Sequence, residues 1–443
     1  MIVHRQSLPY SSHAQRTPIL PSVSVSSVVS FAILLALSSM AFADDIQTSP
    51  KELYEIAADL ENPRFGVRES ASRRLKLAGK SALPVLKSTI ETGSLESVSR
   101  SLEILRLIHL RSNQQVSHEA SAIIHSLSDL TTNATSQRTI DTIALVRNRW
   151  AQSAKQQLQE LGVDFKYRSF VTVTIEKEWA GTDRDLRLLQ YISGLGTLNI
   201  SKSPIRDNGL PEIATLPDLQ TLRVRIQGSG LIHLRHLPSL TFLSLKYSQL
   251  APDALAGLTG CEKLQSLGLD DTNVTDAAIA CLPTLPNLRD LWLNGTRVTH
   301  RGLAQVKRMP KIRKLILTGL DLKGPGLFHL TEMPTLEYIS LKHSTCDDSC
   351  LRAISRLTQV KSLGLDDTQV TDAGMAQLDT LTFSLETLWL TNDNISDESI
   401  QHLEKLVAMK QLYLTGTQVT PQGLAEIRNS LPDCRVTFEP SSK

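Results

Sequence analysis

The sequence predicts an elongated α/β solenoid of stacked strand–turn–helix units, preceded by a small all-α segment. Three observations predict it. A Leu-x-x-Leu-x-Leu core returns in frames of 24 residues that begin at Phe170, Leu195, Leu219, Leu240, Leu264, Leu288, Ile312, Leu336, Val360, Leu385 and Met409, with the Leu219 frame three residues short. The stretch from 44 to about 163 carries its apolar residues at helical spacing instead. Aromatic residues make up only 5% of a chain that is 41% hydrophobic, so the core is built from aliphatic layers. A length of 443 residues would otherwise suggest roughly three compact domains.

Charge excludes some partners. With 47 Lys+Arg against 45 Asp+Glu, the net charge of +2 gives no electrostatic reason to expect nucleic acid or an anionic membrane surface. Five cysteines scattered over this length do not make a disulfide-framework protein.

The first element is an address. Residues 1–43 contain no Asp, Glu or Lys, and their only fixed charges are Arg5 and Arg16. A mostly apolar run from Val28 to Leu37 leads to Ala41-Phe42-Ala43, a small-x-small cleavage site. The run falls well short of the ~20 apolar residues a membrane-crossing helix needs. This pattern predicts a signal peptide over 1–43 and export to the periplasm, the cell surface or the medium, with no membrane span after cleavage. The remaining 400 residues carry 45 bases against 45 acids, so the mature chain is neutral.

The second element, 44–163, reads as five or six helices. Ser49-Pro50-Lys51-Glu52 is a helix start: Ser caps, Pro fits the first turn, and Glu52 can reach back to the cap. Breaks are expected at Asn62-Pro63, Ala78-Gly79 and Thr92-Gly93, and longer amphipathic patterns run from Val116 to Leu130 and from Ile140 to Leu158. The stretch from Val67 to Leu75, followed by Ala82-Leu83-Pro84-Val85-Leu86, resembles a HEAT-type helical repeat. Gly79-Lys80-Ser81 has the ending of a phosphate loop, but position 74 is Arg where that loop needs Gly. A glycine helix cap is the better reading.

The third element is the repeat region, 164–443. In its clearest unit, Leu267 and Leu269 alternate with Gly268 as inward and outward strand residues do. Thr272, Thr296, Thr368 and Thr417 place hydroxyls where the chain leaves the strand, and Asp276, Asp372 and Asp397 precede helical runs that they can cap. No unit buries its apolar face alone, so the units must stack. With Thr-x-Val-Thr-Asp-x-Gly after the strand, the region resembles the leucine-rich repeat family in its ribonuclease-inhibitor-like form. That resemblance implies about ten repeats, with parallel strands on a concave face and helices on the convex face. Residues 431–438 look like the terminal cap.

A second periodicity lies on the first. Leu267 to Ala277 matches Leu363 to Ala373 at ten of eleven positions, and Leu245-Lys246-Tyr247-Ser248 pairs with Leu341-Lys342-His343-Ser344. Trp292 pairs with Trp389, the offset growing by one after Phe383-Ser384. Because a consensus does not demand Lys or Trp there, a four-repeat block is read as duplicated.

The resemblance places the strands' outward residues where a partner would bind. Trp292, Trp389 and Tyr413 stand there as anchors, with Arg225, Lys246, Asp270, Lys342 and Asp366 around them. Nothing in the sequence points to an enzyme: there is no His-Glu-x-x-His, no Gly-x-Ser-x-Gly and no Cys-x-x-Cys. No metal or other cofactor is expected. Asp270-Asp271 and Asp366-Asp367 are four strands apart, ~19 Å, too far to share a calcium ion. Cys346 falls at the inward Val position of its frame, a core place, and pairing with Cys350 stays open. Asn133, Asn199, Asn273, Asn294 and Asn394 begin glycosylation triplets that matter only in a eukaryotic source. The expected function is therefore an exported, non-enzymatic protein-binding scaffold, similar to bacterial exported proteins with leucine-rich repeats behind a helical segment. Glycan binding and an F-box-type substrate adaptor are the alternatives, and the export pattern argues against the second.

Overall fold

The computed structural model describes residues 48–127, 137–322 and 324–439. The expected signal peptide lies outside them. Six helices open the described chain: α1 (Pro50–Ala58), α2 (Phe65–Ala78), α3 (Leu83–Thr92), α4 (Leu95–Arg111), α5 (Gln114–Ser126) and α6 (Gln137–Glu160). Their ends follow local chemistry. Ser49 caps α1 by accepting from the Glu52 amide, and Pro50 occupies the first turn. The Glu52 carboxylate does not return to the cap, because Arg74 draws it away at 2.7 Å. Ser94 caps α4 and Asn113 caps α5. Gly79 ends α2 with φ +49°, a left-handed stop that glycine adopts without strain. Lys80 pairs with Glu119 at 2.8 Å.

Thirteen strands follow in one sheet, in chain order. They are β1 (Val163–Tyr167), β2 (Val171–Ile175), β3 (Leu195–Ile200), β4 (Thr221–Val224), β5 (Phe242–Ser244), β6 (Ser266–Gly268), β7 (Asp290–Trp292), β8 (Lys314–Ile316), β9 (Tyr338–Ser340), β10 (Ser362–Gly364), β11 (Thr387–Trp389), β12 (Gln411–Tyr413) and β13 (Arg435–Thr437). The pairs from β2 onward are parallel and, past an irregularity at Val171/Thr172, join equivalent residues, as Leu267↔Leu291 and Leu388↔Leu412 do. Short α and 3-10 helices connect them on the opposite face. This is a leucine-rich repeat solenoid. The hairpin β1–β2 is antiparallel and was not legible in the repeat pattern, because β1 precedes the first frame.

Each unit is a closed aliphatic layer. In the unit from Leu264, residues Leu264, Leu267, Leu269, Val274, Ile279, Leu282 and Leu285 are each 1% exposed or less. Truncating such a leucine to Ala costs about 2–5 kcal/mol. Where the strand ends, the chain turns through left-handed backbone at one recurring position: Tyr247, Asp271, Gly295, Gly319, His343, Asp367, Asn392 and Gly416, with φ between 54° and 75°. The hydroxyls of Thr272, Thr296 and Thr417 then donate to the carbonyl three residues back, each at 2.7 Å.

The repeated aspartates act differently from the expectation. Asp276 does not cap the helix it opens, since Thr275 does. Asp276 instead accepts from the amide and hydroxyl of Thr299, the cap of the next unit, both at 2.7 Å. Asp372 holds Ser396 and Asp397 holds Thr420 in the same way. The carboxylate already lies inside the first turn, where its reach crosses to the neighbouring layer. Stacking of units is thus polar as well as apolar.

The helical segment and the solenoid share one continuous core. Arg187, 2% exposed, clamps them together. It makes a bidentate pair with Glu212 at 2.9 Å and donates to the carbonyls of His109 and Ser112 at the end of α4. Trp150 of α6 and His109 pack edge-on against Tyr191, at 5.5 and 5.9 Å. Burial pushes the His109 imidazole down to about 4, which keeps it neutral in the core.

Candidate functional site: the concave strand face

The outward residues of the strands form two rows, one at the first strand position and one at the third. Adjacent strands are ~4.8 Å apart, so an aromatic ring reaches its neighbours along a row or across it. Trp292 on β7 leans back over β6 to meet Phe242 on β5, with ring centres 6.1 Å apart and planes at 57°. Trp389 on β11 leans over β10 to Tyr338 on β9, at 6.0 Å and 57°. The strand beneath each ring pair carries Ser266 and Gly268 in the first case and Ser362 and Gly364 in the second. Small outward residues there leave the room the rings occupy. Trp389 also stacks on Tyr413 of β12, at 5.6 Å and 13°. The two tryptophans and Tyr413 are half-buried, so part of each ring covers neighbouring strands and part faces solvent.

Cations surround these rings. Arg223 lies 5.1 Å from the Phe242 centroid, Lys314 lies 4.7 Å from Tyr338, and Lys342 lies 4.8 Å from Trp389. Lys246 lies 4.8 Å from the ring of Tyr247, which is 53% exposed although its backbone is left-handed. Tyr247 and Asp271 together hold the Lys246 ammonium above its ordinary value.

The expected flanking charges divide into two groups. Lys246, pairing with Asp271 at 3.4 Å, keeps 44% of its side chain exposed. Lys342 pairs with Asp366 at 2.7 Å. Asp366 is only 6% exposed, so it is a correction to the sequence reading: it lies beneath Lys342 and presents no free carboxylate to a partner. Asp270 is half-buried, accepts from the Asn294 amide at 2.6 Å and is pushed upward by burial. Arg225 is half-buried beyond the end of β4, away from the rings of β9–β12. The structure therefore brings Trp389, Tyr413, Lys342 and Asp366 together, and places Trp292, Lys246 and Asp270 in the preceding block. Phe242, Tyr338 and Lys314 were missed. They sit in the first outward row, and the 96-residue spacing of Phe242 and Tyr338 was the signal that would have found them.

A cavity of about 620 Å³ opens elsewhere, at the junction with the helices, lined by His125, Arg147, Gln190, Leu216 and Asp218 among others. Among the described residues, no group of three His, Cys, Asp or Glu gathers as a metal site.

No protein-family model matches the sequence, and no curated protein matches it either. Among solved structures, the chain is similar to an internalin from Listeria monocytogenes, at 18% identity and a TM-score of 0.40, over 65% of this chain and 94% of that one. It is similar to a TDR receptor at 16% identity and a TM-score of 0.36, over 57% of this chain and 53% of the other. A leucine-rich repeat protein of Leptospira interrogans matches at 16% identity and a TM-score of 0.34, over 57% of this chain and 80% of its own.

Proposed function

We propose that this chain is an exported, non-enzymatic binding scaffold whose concave face grips a protein partner. The reading divides the chain into a signal peptide over 1–43, a helical HEAT-like segment over 44–163 and the binding solenoid over 164–443. Export rests on the composition of the first 43 residues. Among the described residues, no helix is long and apolar enough to cross a membrane.

One observation carries the binding reading: the half-exposed array Tyr338–Trp389–Tyr413, bordered by Lys342 and Lys314. Aromatic area ringed by charge is the composition of a protein-binding hot spot. Tyr247 supports the same reading. A bulky residue in left-handed backbone costs about 1–2 kcal/mol, and here it is turned to solvent, where packing does not repay the cost. The proposed contact set is Trp389, Tyr413 and Lys342 over the buried Asp366, with Trp292, Lys246, Asp270 and Arg225 on the earlier strands.

The test starts from partners captured in the native exported fraction, identified and then purified. A Trp292→Ala/Trp389→Ala double variant with native circular dichroism is expected to bind the purified partner at least about tenfold more weakly. Unchanged affinity of that folded variant overturns the reading. Binding on a glycan array that the same two substitutions abolish would replace protein by glycan.

A further inference from the structure

We propose that Cys346 and Cys350 are a disulfide-forming pair that staples one repeat across its turn. The two positions meet only through the fold. Two units earlier they are Val298 and Gly302, and a Cβ built on Gly302 would lie 2.8 Å from Val298 Cγ1. That is close to the separation of a disulfide's Cβ from the far sulfur, about 3 Å. The unit from Leu336 is the one frame with cysteine at both positions; the equivalent residues of the earlier block are Leu250 and Ala254. Both side chains are fully buried, and the Cys346 thiol donates to the Asp347 carbonyl at 3.8 Å.

A second peculiarity falls in the same unit. At Gly302, Gly374 and Gly423 the glycine position is crowded by the aspartate of the preceding unit (Asp276, Asp348 and Asp397), and at Gly326 by His300. The unit before Cys350 has Gly324 at its aspartate position. No carboxylate competes for the space that the Cys350 side chain fills, and the clamp that Asp276 makes on Thr299 has no counterpart at this position; the tie to the preceding unit is the Thr345 hydroxyl donating to Asp321 at 2.9 Å. Asp347 caps the helix Asp348–Ile354 in place of the usual Thr. A covalent bond within the unit compensates for the missing clamp.

The chemistry is thiol–disulfide exchange with a small disulfide such as oxidised glutathione. The Cys350 thiolate attacks one glutathione sulfur and releases glutathione thiolate. Cys346 loses its proton and attacks the Cys350 sulfur of the mixed disulfide, releasing the second glutathione. Two protein S–H bonds are replaced by one S–S bond, and the glutathione disulfide is reduced to two thiols. Because both sulfurs are buried, exchange proceeds while the repeat closes during folding. The proposal gains a natural oxidising setting from the export reading but does not depend on it, since the experiment is done on purified protein.

The full chain is denatured with reductant, refolded in glutathione redox buffer, quenched with alkylating agent and digested with trypsin. Both cysteines lie in one peptide, His343–Arg352. Recovery of that peptide two hydrogens lighter and unalkylated, with Cys261, Cys281 and Cys434 alkylated after denaturation, is the expected result. Recovery of His343–Arg352 with two alkyl groups, or carrying glutathione, overturns the proposal. As a second measurement, the oxidised chain is expected to melt about 2–4 °C above the reduced one. A Cys346→Val/Cys350→Gly variant, which restores the residues of the unit at Val298, is expected to melt identically in both buffers. A redox-dependent shift that survives in the variant assigns the effect to another cysteine and also overturns the proposal.

Discussion

The two four-repeat blocks, 240–335 and 336–432, share a residue pattern in sequence and a geometry in their aromatic pairs, yet they differ at three places that decide what each presents. The first is the residue after the tryptophan strand's equivalent: Ile316 in the earlier block, Tyr413 in the later. The change converts a two-ring cluster into the three-ring array Tyr338–Trp389–Tyr413. The second is Asn294 against Thr391. Asn294 fills Asp270 with a side-chain amide, whereas Thr391 offers Asp366 only its backbone amide at 2.9 Å. The outer oxygen of Asp366 is thereby left for Lys342, while Lys246 turns to Asp271. The third is Thr296 against Asp393. Thr296, half-buried, donates its hydroxyl locally, but Asp393 puts a carboxyl group at the equivalent place, 3% exposed. The two blocks offer similar frames, and single substitutions at strand ends make one of them the stronger candidate for binding.

The largest test of that contrast is Asp393. Burial, aided by Asp366 and Asp367, pushes its carboxyl group up to about 7. In the unfolded chain it ionises near 3.9, so above that pH the unfolded state has lost a proton that the folded state still holds. Folded stability from this group is therefore full below about pH 4 and is lost as pH rises through about 7. The later block should lose roughly 2–4 kcal/mol of local stability between pH 4 and 8, and the earlier block, with Thr296 at the equivalent place, should lose less. Asp393→Asn keeps the acceptor for the Thr368 amide and hydroxyl and removes the charge, so it should abolish the difference. Amide hydrogen exchange resolved by block, at both pH values, measures it.

Next in size are the tryptophans. Trp389→Ala should cost about 3 kcal/mol and Trp292→Ala about 2 kcal/mol, since Trp389 gives up contacts to two rings and Trp292 to one. Urea unfolding of the two variants checks the order, and equal losses would break the contrast. A smaller effect separates the lysines. A double-mutant cycle on Lys342 and Asp366 should give a coupling of about 1 kcal/mol, and the same cycle on Lys246 and Asp270 should give about zero. Asn294→Thr should raise the second value by freeing Asp270. The smallest effect belongs to the strand exit. Tyr247→Gly should stabilise the chain by about 0.5–1 kcal/mol, because glycine takes left-handed backbone without strain. If the proposed function is right, the same variant weakens partner binding while it gains stability.

Much of this was legible along the chain because a solenoid repeats the same local problem. The leucine frame at Leu264, Leu267 and Leu269 encodes burial directly, and the helix starts at Ser49, Ser94 and Asn113 are properties of a few neighbouring residues. The fate of a side chain that reaches across units was not legible. Asp276 was read as a cap for its own helix because only its own unit is adjacent in sequence. Asp366 was read as an exposed charge because alternation puts it outward, and it takes a neighbouring lysine to cover it. Arg187 carries no signal of its role in the sequence, where it stands between Leu186 and Leu188, yet it joins the solenoid to α4.

What the sequence determined by itself was the architecture: periodic apolar residues can be buried in only one way when every unit must cover the next. Tertiary structure alone decided which outward residues are free, which are spent on each other and which are covered. Those outcomes depend on distances between strands 24 residues apart, where one side-chain amide, present at Asn294 and absent at Thr391, selects the partner of a lysine. Local pattern settles which residues go inside; the surface is settled by competition among neighbours that only folding brings together.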